Sequence, residues 1–591
     1  MRSRLTGRQL RPAVALIGAI TLGASLAACS GGGASSKDGE GTSKDTATVA
    51  LRTPNWILPI SAPGFTQGEN AIFTQALYPS LYSYKLDGTE KYNIDPRRSL
   101  AEAPVVTDGG KTLAITLKDN KWSDGTPLTT KDIQFWWNLV TANKDKWASY
   151  REGGFPDNIA KFTVTDDKTF SMTTTKAYNT AWFVDNQLNR ITPVPQAAWD
   201  KDNEAATPAG AKKVFATLTA AAKDPKTYDS NPLWKVNSGP FKLAKYVPNG
   251  EVTLAKQETY TGADKAKLNT IVLRPFTGDD AEFNVLRAGQ IDYGYIPAAD
   301  TSQKSYLQSK GYTVSPWYGW SITYLQLNFN NPKTGPLFKQ LYLRQAMQEL
   351  VDQPTISKAI WNDTAAPTCG PVPEKPGTTD ATGCAYKFDP AAAQQLLESH
   401  GWKVTPDGQT TCQTPAQCGP GITAGQPLTF TVTSQTGFAA TTKMFAEIKS
   451  QMAKLGITLN IKEVPDSVAV TPACKPTESS CSWDMSFFGS QGSWYYPAFA
   501  SGERLFATGA PVNLGSYSNP QADQLIDATQ FASDSDGSTA LTAYNDFLAK
   551  DLPVLWMPNP VYQNSAYRSG LQGVDPQDPM NFMYFQDWSW K

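Results

Sequence analysis

The stretch from Trp483 to Phe499 limits the possible folds more than any other part of the sequence. It begins with alternating side chains, which is the period of a β-strand with two different faces. The alternation stops at Gly489, and the chain then presents Trp494 and Tyr495. A strand that ends in a glycine-rich aromatic loop is typical of an α/β domain that lines a cleft. An ordinary core strand followed by a surface loop is the alternative.

Length and composition indicate a globular protein with several lobes. A chain of 591 residues is too long for one hydrophobic core, so we expect two or more. Hydrophobic residues make up 40% and charged residues 18%, both ordinary for a globular protein. The net charge of −1 argues against nucleic-acid binding, which needs a basic face. The 17 Trp, 24 Tyr and 25 Phe residues suit a surface that packs around a ligand.

The single histidine, His400, excludes most histidine-based chemistry. It follows the helical pattern Pro390–Ser399 and precedes Gly401, so we expect it in the last turn before a C-cap glycine. One histidine cannot supply a His-rich zinc site. The chain also contains no G-x-S-x-G motif, in which the serine of a His-based triad would lie. A pair of carboxylates stays possible, but no spacing singles one out. We therefore expect a protein that is not an enzyme and carries no metal or cofactor.

The N-terminus predicts export and a lipid anchor. Ala13–Ala28 is an apolar run of signal-peptide length after a basic start, too short to span a membrane comfortably. It ends in Leu-Ala-Ala before Cys29, which resembles a bacterial lipobox. That resemblance implies a signal peptide over 1–28 and a lipid on Cys29. A simple secretory signal with an incidental cysteine is the alternative.

A polar segment separates Cys29 from the first predicted strand. Residues 30–46 are rich in Gly and Ser, so they cannot bury enough apolar surface to fold. A flexible tether of this size spans roughly 20–25 Å. With Cys29 it forms a predicted tether over 29–46, which would hold the folded body at the outer face of the cytoplasmic membrane.

The six other cysteines fall into close pairs in the second half of the chain. An even count in an exported chain favours disulfides over a metal site, and no C-x-x-C spacing is present. The sequence does not fix the connectivity, but we predict local pairing. The predicted pairs are Cys369 with Cys384, Cys412 with Cys418, and Cys474 with Cys481.

Local patterns predict strands and helices in the first half of the chain. Strands are predicted at the start of Thr48–Leu58, over Lys111–Lys118 and as a hairpin in 161–172, and a helix over Lys131–Thr141 capped by Thr129 or Thr130. Asn55 and Trp56 follow a turn at Pro54. They lie at the end of the first strand, where α/β proteins commonly bind ligands.

One segment, KWSDGTPLTTKDIQFWW over Lys121–Trp137, closely resembles a signature of extracellular solute-binding proteins of ABC importers. The family is the large family 5, which binds oligopeptides, dipeptides, nickel chelates and some oligosaccharides. Other resembling segments keep the family order across about residues 48 to 590: Leu81–Gly88, Val236–Tyr246, Leu286–Tyr293, Thr323–Asn330, Leu343–Asp352, Asp389–Trp402, Ile448–Leu459, Ser516–Asp527 and Asp551–Leu555.

The resemblance implies an α/β fold of the two-lobed periplasmic-binding-protein type, type II with an extra subdomain, and a ligand cleft between the lobes. Lobe I would contain 47–322 and 556–591, with a subdomain of about 71–190 inserted. Lobe II would contain 323–555. The two crossing segments would lie near 322–328 and 555–562. Hinge closure around a ligand is a known response of such proteins.

The resemblance also identifies candidate binding residues. In oligopeptide-binding members an acidic side chain holds the peptide amine, and the ungapped alignment puts Ser493 there. An arginine often found earlier aligns with Phe487, so both charges are absent. A hydroxyl offers only a neutral hydrogen bond, about half as strong as a charge-assisted one. The candidate ligand-binding residues are Asn55, Trp56, Trp320, Tyr324, Asn328, Ser493, Trp494 and Tyr495.

The implied function is that of a substrate-binding lipoprotein of an ABC importer. It would act as a monomer, capture oligopeptides outside the cell and deliver them to membrane permease subunits powered by an ATPase. The missing charges favour a neutral ligand instead, such as an oligosaccharide stacked on tryptophan and tyrosine rings. A third hypothesis is a surface sensor or adhesion lipoprotein with the same fold and no transport partner.

Overall fold

The computed structural model describes residues 45–86, 92–373, 382–469, 482–487, 490–491, 499–510, 512–533 and 535–591. The predicted signal peptide, Cys29 and residues 30–44 of the tether lie outside the described residues. Within the described part, no helix combines the length and the apolar character needed to cross a bilayer. Residues Ser43–Lys591 form one compact unit, and all contacts described below lie within it.

The first lobe is built on a seven-stranded sheet. From edge to edge its strands are Tyr312–Trp317, Gln563–Arg568, Tyr293–Ile296, Thr46–Ala50, Thr270–Arg274, Val252–Lys256 and Phe241–Tyr246. The first strand pairs in parallel with Thr270–Arg274, and the last three strands of the order pair antiparallel. The strand Gln563–Arg568, near the C-terminus, also lies inside this sheet, between two antiparallel partners. One sheet thus joins the beginning and the end of the described chain.

A four-stranded antiparallel sheet belongs to residues 71–190, which we call the inserted subdomain after its predicted limits. Its strands, in spatial order, are Val105–Thr107, Thr112–Thr116, Thr169–Thr174 and Ile159–Val164. The helix Thr130–Ala142 begins with a capping box, in which the Thr129 side chain accepts from a backbone N–H and Asp132 accepts from the Thr129 N–H. The predicted helix and hairpin are confirmed, and the predicted strand is confirmed over Thr112–Thr116.

The second lobe has its own sheet and its own hydrophobic core. Its strands run Thr458–Val464, Thr429–Gln435, Met485–Ser486, Ile322–Leu327 and Ser490–Gln491, and Val554–Trp556 also pairs with Ile322–Leu327. Every residue of Ile322–Leu327 is buried, because both faces of this central strand are covered. The α/β class predicted from the sequence is confirmed. The lobe limits stay predictions.

Helices and short strand pairs complete the two lobes. In the first lobe the other α-helices are Gly68–Leu77, Thr180–Asn186, Gln196–Trp199, Pro208–Ala222, Asp279–Arg287 and Lys304–Ser309. In the second lobe they are Gly335–Phe338, Leu341–Gln348, Gln353–Trp361, Pro390–Ser399, Pro415–Cys418, Ala439–Ala453, Asp466–Ala469, Pro520–Phe531 and Gly537–Asp551. The strand pairs are Tyr84–Leu86 with Tyr92–Ile94, Trp402–Lys403 with Thr411–Cys412, and Leu571–Gln572 with Ser589–Trp590.

Two of the three predicted disulfides are confirmed. Cys369 is bonded to Cys384, and Cys412 is bonded to Cys418. Both close short loops of the second lobe, so they hold local loop structure rather than joining the lobes. The third predicted pair, Cys474 with Cys481, lies outside the described residues.

His400 ends the helix Pro390–Ser399 as predicted. Gly401 follows with φ +76°, the left-handed conformation that favours glycine after a helix. The His400 ring nitrogen Nδ1 lies 2.8 Å from the carbonyl oxygen of Leu396, and the ring stacks on Tyr342 with centroids 3.8 Å apart. These contacts give the single histidine a structural role at a helix end.

Candidate ligand-binding site

The inserted subdomain contacts the second lobe through the helix Thr180–Asn186. Asn179 caps this helix, because its side-chain oxygen accepts a hydrogen bond from the Trp182 N–H at 2.8 Å. Three side chains then donate across to the second lobe: Asn179 to the Ala532 carbonyl at 2.9 Å, Trp182 Nε1 to the Ser501 hydroxyl at 2.8 Å, and Asn186 to the Phe499 carbonyl at 2.9 Å. Neutral hydrogen bonds therefore help to hold the lobes together here, beside the Arg190–Glu503 and Arg151–Asp527 ion pairs.

A separate contact joins the lobes near the end of the first strand. The guanidinium carbon of Arg52 lies 4.9 Å from the ring centre of Phe438, within range of a cation–π interaction. Beside it the backbones of Gly278 and Gly437 approach closely. A Cβ atom at Gly278 would lie 3.4 Å from the carbonyl oxygen of Gly437. Both contacts bring the first and second lobes together, which is the arrangement expected around an enclosed ligand.

The two segments predicted to cross between the lobes are tied to each other. Tyr324 pairs with Trp556 in an antiparallel ladder. Just beyond it, Asn559 Oδ1 accepts hydrogen bonds from the hydroxyls of Ser321 at 3.0 Å and Thr323 at 2.9 Å. The Asn559 amide also donates to the Ser321 carbonyl at 3.0 Å. Movement of one lobe against the other must therefore act on a paired unit rather than on two independent strands.

Two of the predicted binding residues are buried in hydrophobic cores. Trp56 is 1% exposed, donates its indole N–H to the Ile60 carbonyl at 3.1 Å and packs on Phe65. Tyr324 is 2% exposed and contacts the rings of Phe506 and Trp556. Neither ring presents a face to solvent in this structure. The first strand ends at Ala50, before the predicted turn at Pro54, and the chain after it folds back onto the core.

Asn328 holds the second lobe together. It is fully buried, and its amide donates to the Trp483 carbonyl at 2.7 Å. Its backbone N–H donates to the Asp484 carbonyl at 3.0 Å, and its side-chain oxygen accepts from the Asn330 N–H at 3.1 Å. These bonds fix the start of the stretch that follows Trp483, and they give Asn328 a structural role in the second lobe.

Asn55 and Trp320 keep exposed surface. Asn55 is exposed and exchanges two hydrogen bonds with the amide of Asn70, which leaves its side chain oriented at the start of the helix Gly68–Leu77. Trp320 is half-buried and donates its backbone N–H to the Pro579 carbonyl at 3.0 Å. Of the predicted ligand residues that the structure describes, these two have side chains that solvent reaches.

The structure describes part of the stretch Trp483–Phe499, which the sequence predicts to line a cleft. Met485–Ser486 is the paired portion of the predicted strand, between Ile322–Leu327 and Thr429–Gln435. Phe487, at the aligned arginine position, is 4% exposed and packs edge-on against Phe445 with centroids 5.1 Å apart. A buried ring thus replaces that charge. The predicted binding residues Ser493, Trp494 and Tyr495 lie outside the described residues.

Buried carboxyl groups lie near both interlobe contacts. Burial raises the pKa of Asp185, in the contact helix Thr180–Asn186, to about 7, against a hydrogen bond from Tyr84 that lowers it. Burial likewise raises the pKa of Glu282 to about 8, although this carboxylate accepts a 3.0 Å hydrogen bond from the Tyr295 N–H. Glu282 lies in the helix Asp279–Arg287, which begins next to Gly278. Both groups therefore change charge between mildly acidic and mildly basic pH.

Comparison with known proteins decides the family. The model of the "Bacterial extracellular solute-binding proteins, family 5 Middle" matches residues 95–510, which is most of the chain. The chain belongs to family 5. The resemblance noted over Lys121–Trp137 is thereby confirmed. Because family 5 consists of extracytoplasmic solute-binding proteins, the prediction that the chain is not an enzyme is confirmed as well.

Individual relatives agree with the fold. A protein of Brucella ovis named as an ABC transporter peptide-binding protein is 25% identical over 309 residues, which is 51% of this chain and 51% of that protein. The chain thus matches about half the length of this relative. The structure of the oligopeptide-binding protein AppA from Bacillus subtilis with a nonapeptide has a TM-score of 0.73 at 19% identity and covers 92% of this chain and 99% of that one.

A solved structure with a different ligand is almost as similar to this chain as AppA is. NikZ from Campylobacter jejuni, in complex with Ni(L-His), has a TM-score of 0.72 at 18% identity and covers 93% of this chain and 100% of that one. These likenesses confirm the two-lobed fold of family 5. They do not distinguish among its ligands, because one fold holds a nonapeptide in one protein and a nickel chelate in another.

Sequence reasoning missed a charged pocket between the inserted subdomain and the second lobe. It has a volume of about 190 Å³ and is lined by residues within 149–190 and 503–531. Its wall includes buried Glu503 and Arg504 and partly buried Arg190. No local pattern marks these side chains, because the fold brings together segments that are far apart in the chain.

Proposed function

We propose that this protein is a substrate-binding lipoprotein of an ABC importer, which captures oligopeptides outside the cell and delivers them to membrane permeases. The observation that carries the proposal is the match of family 5 to residues 95–510. The name of the Brucella ovis relative describes peptide binding, and AppA was solved with a nonapeptide. The first supports a peptide ligand over the other ligands of the family, and the second is an example of a peptide enclosed by this fold.

The mechanism involves binding and conformational change without covalent chemistry. A ligand enters between the separated lobes, and closure about the paired crossing strands buries it. The hydrogen bonds from Trp182 and Asn186 to the second lobe then form, together with the Arg52–Phe438 contact. A ligand that bridges the two lobes adds to these interactions and so favours the closed state.

Delivery depends on partners and on the membrane. The closed protein docks as a monomer on permease subunits, and their ATPase drives release of the ligand. Lipid on Cys29 keeps the protein near them. A single acyl chain gives only marginal anchoring, whereas two or three chains make it durable. The polar segment 30–46 gives the lobes freedom to reach the permease.

The peptide is held mainly through its backbone. We place it as an added strand in the cleft, with Trp494 and Tyr495 as an aromatic wall and the surface of Asn55 and Trp320 on the other side. Ser493 replaces the usual acidic anchor with a neutral hydroxyl. The charged ends of the peptide are therefore left to other groups of the protein.

A neutral ligand, such as an oligosaccharide, is the second candidate. The observation that favours it is the loss of both expected charges, with Ser493 in one position and the buried Phe487 in the other. Tryptophan and tyrosine rings at the cleft could then stack on sugar faces. The two candidates differ in the mass of the ligand that the protein retains.

The test is native mass spectrometry of the protein expressed without residues 1–29, followed by identification of what denaturation releases. A ladder of peptide masses is the expected result. A carbohydrate mass, or thermal stabilisation by oligosaccharides with no peptide retained, would replace the peptide proposal with the second candidate.

A further inference from the structure

Three cationic side chains lie close together at one end of the first lobe's sheet, beside an exposed tyrosine. The guanidinium carbon of Arg287 lies 5.4 Å from the ring centre of Tyr306, and Lys310 Nζ lies 5.6 Å from the same centre. Arg568 donates from Nη1 to the Lys310 carbonyl at 3.3 Å and from Nη2 to the Gly289 carbonyl at 2.7 Å. Tyr306 is 37% exposed, and Arg287 and Lys310 are exposed as well. We call Arg287, Tyr306, Lys310 and Arg568 the basic patch.

No exposed carboxylate pairs with the cations of the basic patch. Within the described residues, none of the three lies at ion-pair distance from an acidic side chain. Asp292 interacts electrostatically with Arg568, but it is 1% exposed and accepts a hydrogen bond from the Thr48 N–H at 2.8 Å. The acidic residues of the helix Asp279–Arg287 are in its first turn, at the end opposite Arg287. The patch therefore has an excess of positive charge in a protein whose overall charge is −1.

The basic patch lies near the point where the predicted tether joins the fold. The Asp292 N–H donates to the Thr48 carbonyl at 2.8 Å, and the Arg568 N–H donates to the Asp292 carbonyl at 2.8 Å. Arg568 is thus two strands away from Thr48, which is roughly 10 Å. Thr48 belongs to the first strand, which follows the predicted tether over 29–46. A lipid on Cys29 would therefore hold this end of the first lobe near the membrane.

The basic patch is remote from the predicted crossings between the lobes. The strands Tyr312–Trp317 and Gln563–Arg568 pair along their whole length, with Arg568 at the patch end. Their other ends lead to the predicted crossings near 322–328 and 555–562. Strands of this length separate the two ends by roughly 17 Å. A surface that binds the patch would therefore leave the contacts between the lobes uncovered.

We propose that the basic patch docks on the membrane by binding anionic phospholipid headgroups. The arginines bind phosphate oxygens through their planar forks, and Lys310 binds them as a point charge. Tyr306 lies at the headgroup level, where tyrosine is favoured because one end of its ring is apolar and the other polar. The proposal rests on the membrane location in the proposed function. It adds a second anchor and an orientation with this end of the first lobe toward the membrane.

The test measures co-sedimentation of the protein with lipid vesicles. The protein is expressed without residues 1–29, because a lipid on Cys29 would insert into any bilayer. One kind of vesicle contains equal parts of phosphatidylglycerol and phosphatidylcholine, and the other contains phosphatidylcholine alone. A cation near an anionic surface strengthens binding roughly fivefold, so we expect at least about tenfold more binding to the anionic vesicles. Added salt should remove the difference by screening.

Variants assign this binding to the basic patch. Arg287→Gln combined with Lys310→Gln removes two exposed cations and should lower binding to anionic vesicles by about tenfold or more. Lys443→Gln combined with Lys449→Gln is the matched control, because it changes the net charge equally at exposed positions of the helix Ala439–Ala453 in the second lobe. The control should lower binding by less than about twofold. Circular dichroism checks that each variant folds.

Glycerol phosphate, a soluble phosphate ester, tests the source of the headgroup. At the concentration of the lipid phosphate it should leave the protein on the vesicles, because it cannot supply a surface with many charges. Complete release would identify a site for a soluble phosphate ester and would overturn membrane docking.

The other outcomes also decide the proposal. Equal binding to both kinds of vesicle overturns it, and so does a folded variant with Arg287→Gln and Lys310→Gln that binds as the native protein does. Either result leaves the proposed function in place, because the protein in this test carries no lipid and peptide capture is measured separately. A protein that binds anionic vesicles but retains no peptide in native mass spectrometry would overturn the peptide assignment and keep the basic patch.

Discussion

The indole N–H of Trp182 donates a 2.8 Å hydrogen bond to the hydroxyl of Ser501, and that hydroxyl donates in turn to Glu503 at 2.5 Å. The first bond runs from the inserted subdomain to the second lobe, so one short relay links the two parts. It also places a buried carboxylate at the interlobe contact. The subdomain therefore takes a direct part in holding the lobes together, in addition to extending the first lobe.

Asn186→Ala tests the role of this contact. The substitution removes the 2.9 Å hydrogen bond to the Phe499 carbonyl, and a net loss of about 1 kcal/mol would shift the closed state toward the open one roughly fivefold. We expect the affinity for ligand to weaken by about the same factor, and the radius of gyration in small-angle X-ray scattering at a half-saturating ligand concentration to be larger than that of the native protein. Asn138→Ala is the control, because Asn138 donates a similar 3.0 Å bond to the Ala205 carbonyl within the first lobe. Equal scattering from both variants would show that the contact does not govern closure.

Trp56→Ala tests whether the indole is part of the core. The ring is 1% exposed, packs on Phe65 and donates to the Ile60 carbonyl, so its loss should lower the free energy of unfolding by about 3–5 kcal/mol. Chemical denaturation measures this. Trp320→Ala, at a half-buried ring, should cost clearly less. If Trp56→Ala instead left stability intact and abolished ligand binding, the ring would belong to the binding surface as the sequence predicts.

Trp494→Ala should weaken ligand binding and leave stability nearly unchanged, which is the opposite of the result expected for Trp56→Ala. The proposed aromatic wall predicts a loss of ligand retention of several-fold or more, because a stacking surface is removed. The melting temperature of the empty protein should stay nearly unchanged. Native mass spectrometry and differential scanning calorimetry on the same preparation separate the two effects. A large fall in melting temperature would make Trp494 a core residue.

Glu282→Gln should remove part of the pH dependence of stability. The folded protein holds the pKa of Glu282 at about 8, above its ordinary value, because the side chain is fully buried. Between pH 5 and pH 8 the folded state therefore keeps a proton that the unfolded chain has released, and stability falls as pH rises. The native protein should lose about 2–4 kcal/mol more than the variant across this range.

Urea denaturation at pH 5 and pH 8 measures the difference for Glu282. Glu258→Gln serves as the matched control, since the Glu258 side chain is 74% exposed. The control should lose as much stability between the two pH values as the native protein does. An equal loss of stability between pH 5 and pH 8 in the native protein and in Glu282→Gln would show that Glu282 ionises normally.

The sequence correctly predicted the elements that are determined by residues close to one another in the chain. The helix Thr130–Ala142 is set by a capping box within four residues, Thr129 and Asp132, and by an apolar stripe that includes Ile133 and Trp136. The same holds for His400 and Gly401, where one turn contains the whole signal. Such features can be read before the chain is folded, because each interaction partner lies within one or two turns of helix.

Features that depend on distant partners could not be read in this way. The alternation from Trp483 predicted one strand that stops at Gly489, whereas the described residues pair as two short strands, Met485–Ser486 and Ser490–Gln491, both against Ile322–Leu327. Trp56 looked available at a strand end, yet Phe65 and Ile60 cover it after a turn. Burial depends on what packs from elsewhere, and periodicity carries no such information.

The charged pocket could not be predicted from the sequence for the same reason. Arg190 and Glu503 come from different lobes, and neither belongs to a motif. Resemblance to the family supplied the cleft and its aligned positions, whereas Ser493 and Phe487 showed where this chain departs from the pattern. Side chains that meet only when two lobes close need coordinates before they can be recognised.

The central claim is that the closed lobes hold a peptide. Its most direct test is the thermal unfolding midpoint of the protein without residues 1–29, titrated with a random tetrapeptide mixture and, separately, with malto-oligosaccharides. A ligand that binds only the folded state adds about 2.7 kcal/mol of stability at a hundred times its Kd. We predict a midpoint that rises steadily with peptide and stays level with oligosaccharide. A midpoint that rises with oligosaccharide alone, or with neither, would contradict the peptide assignment.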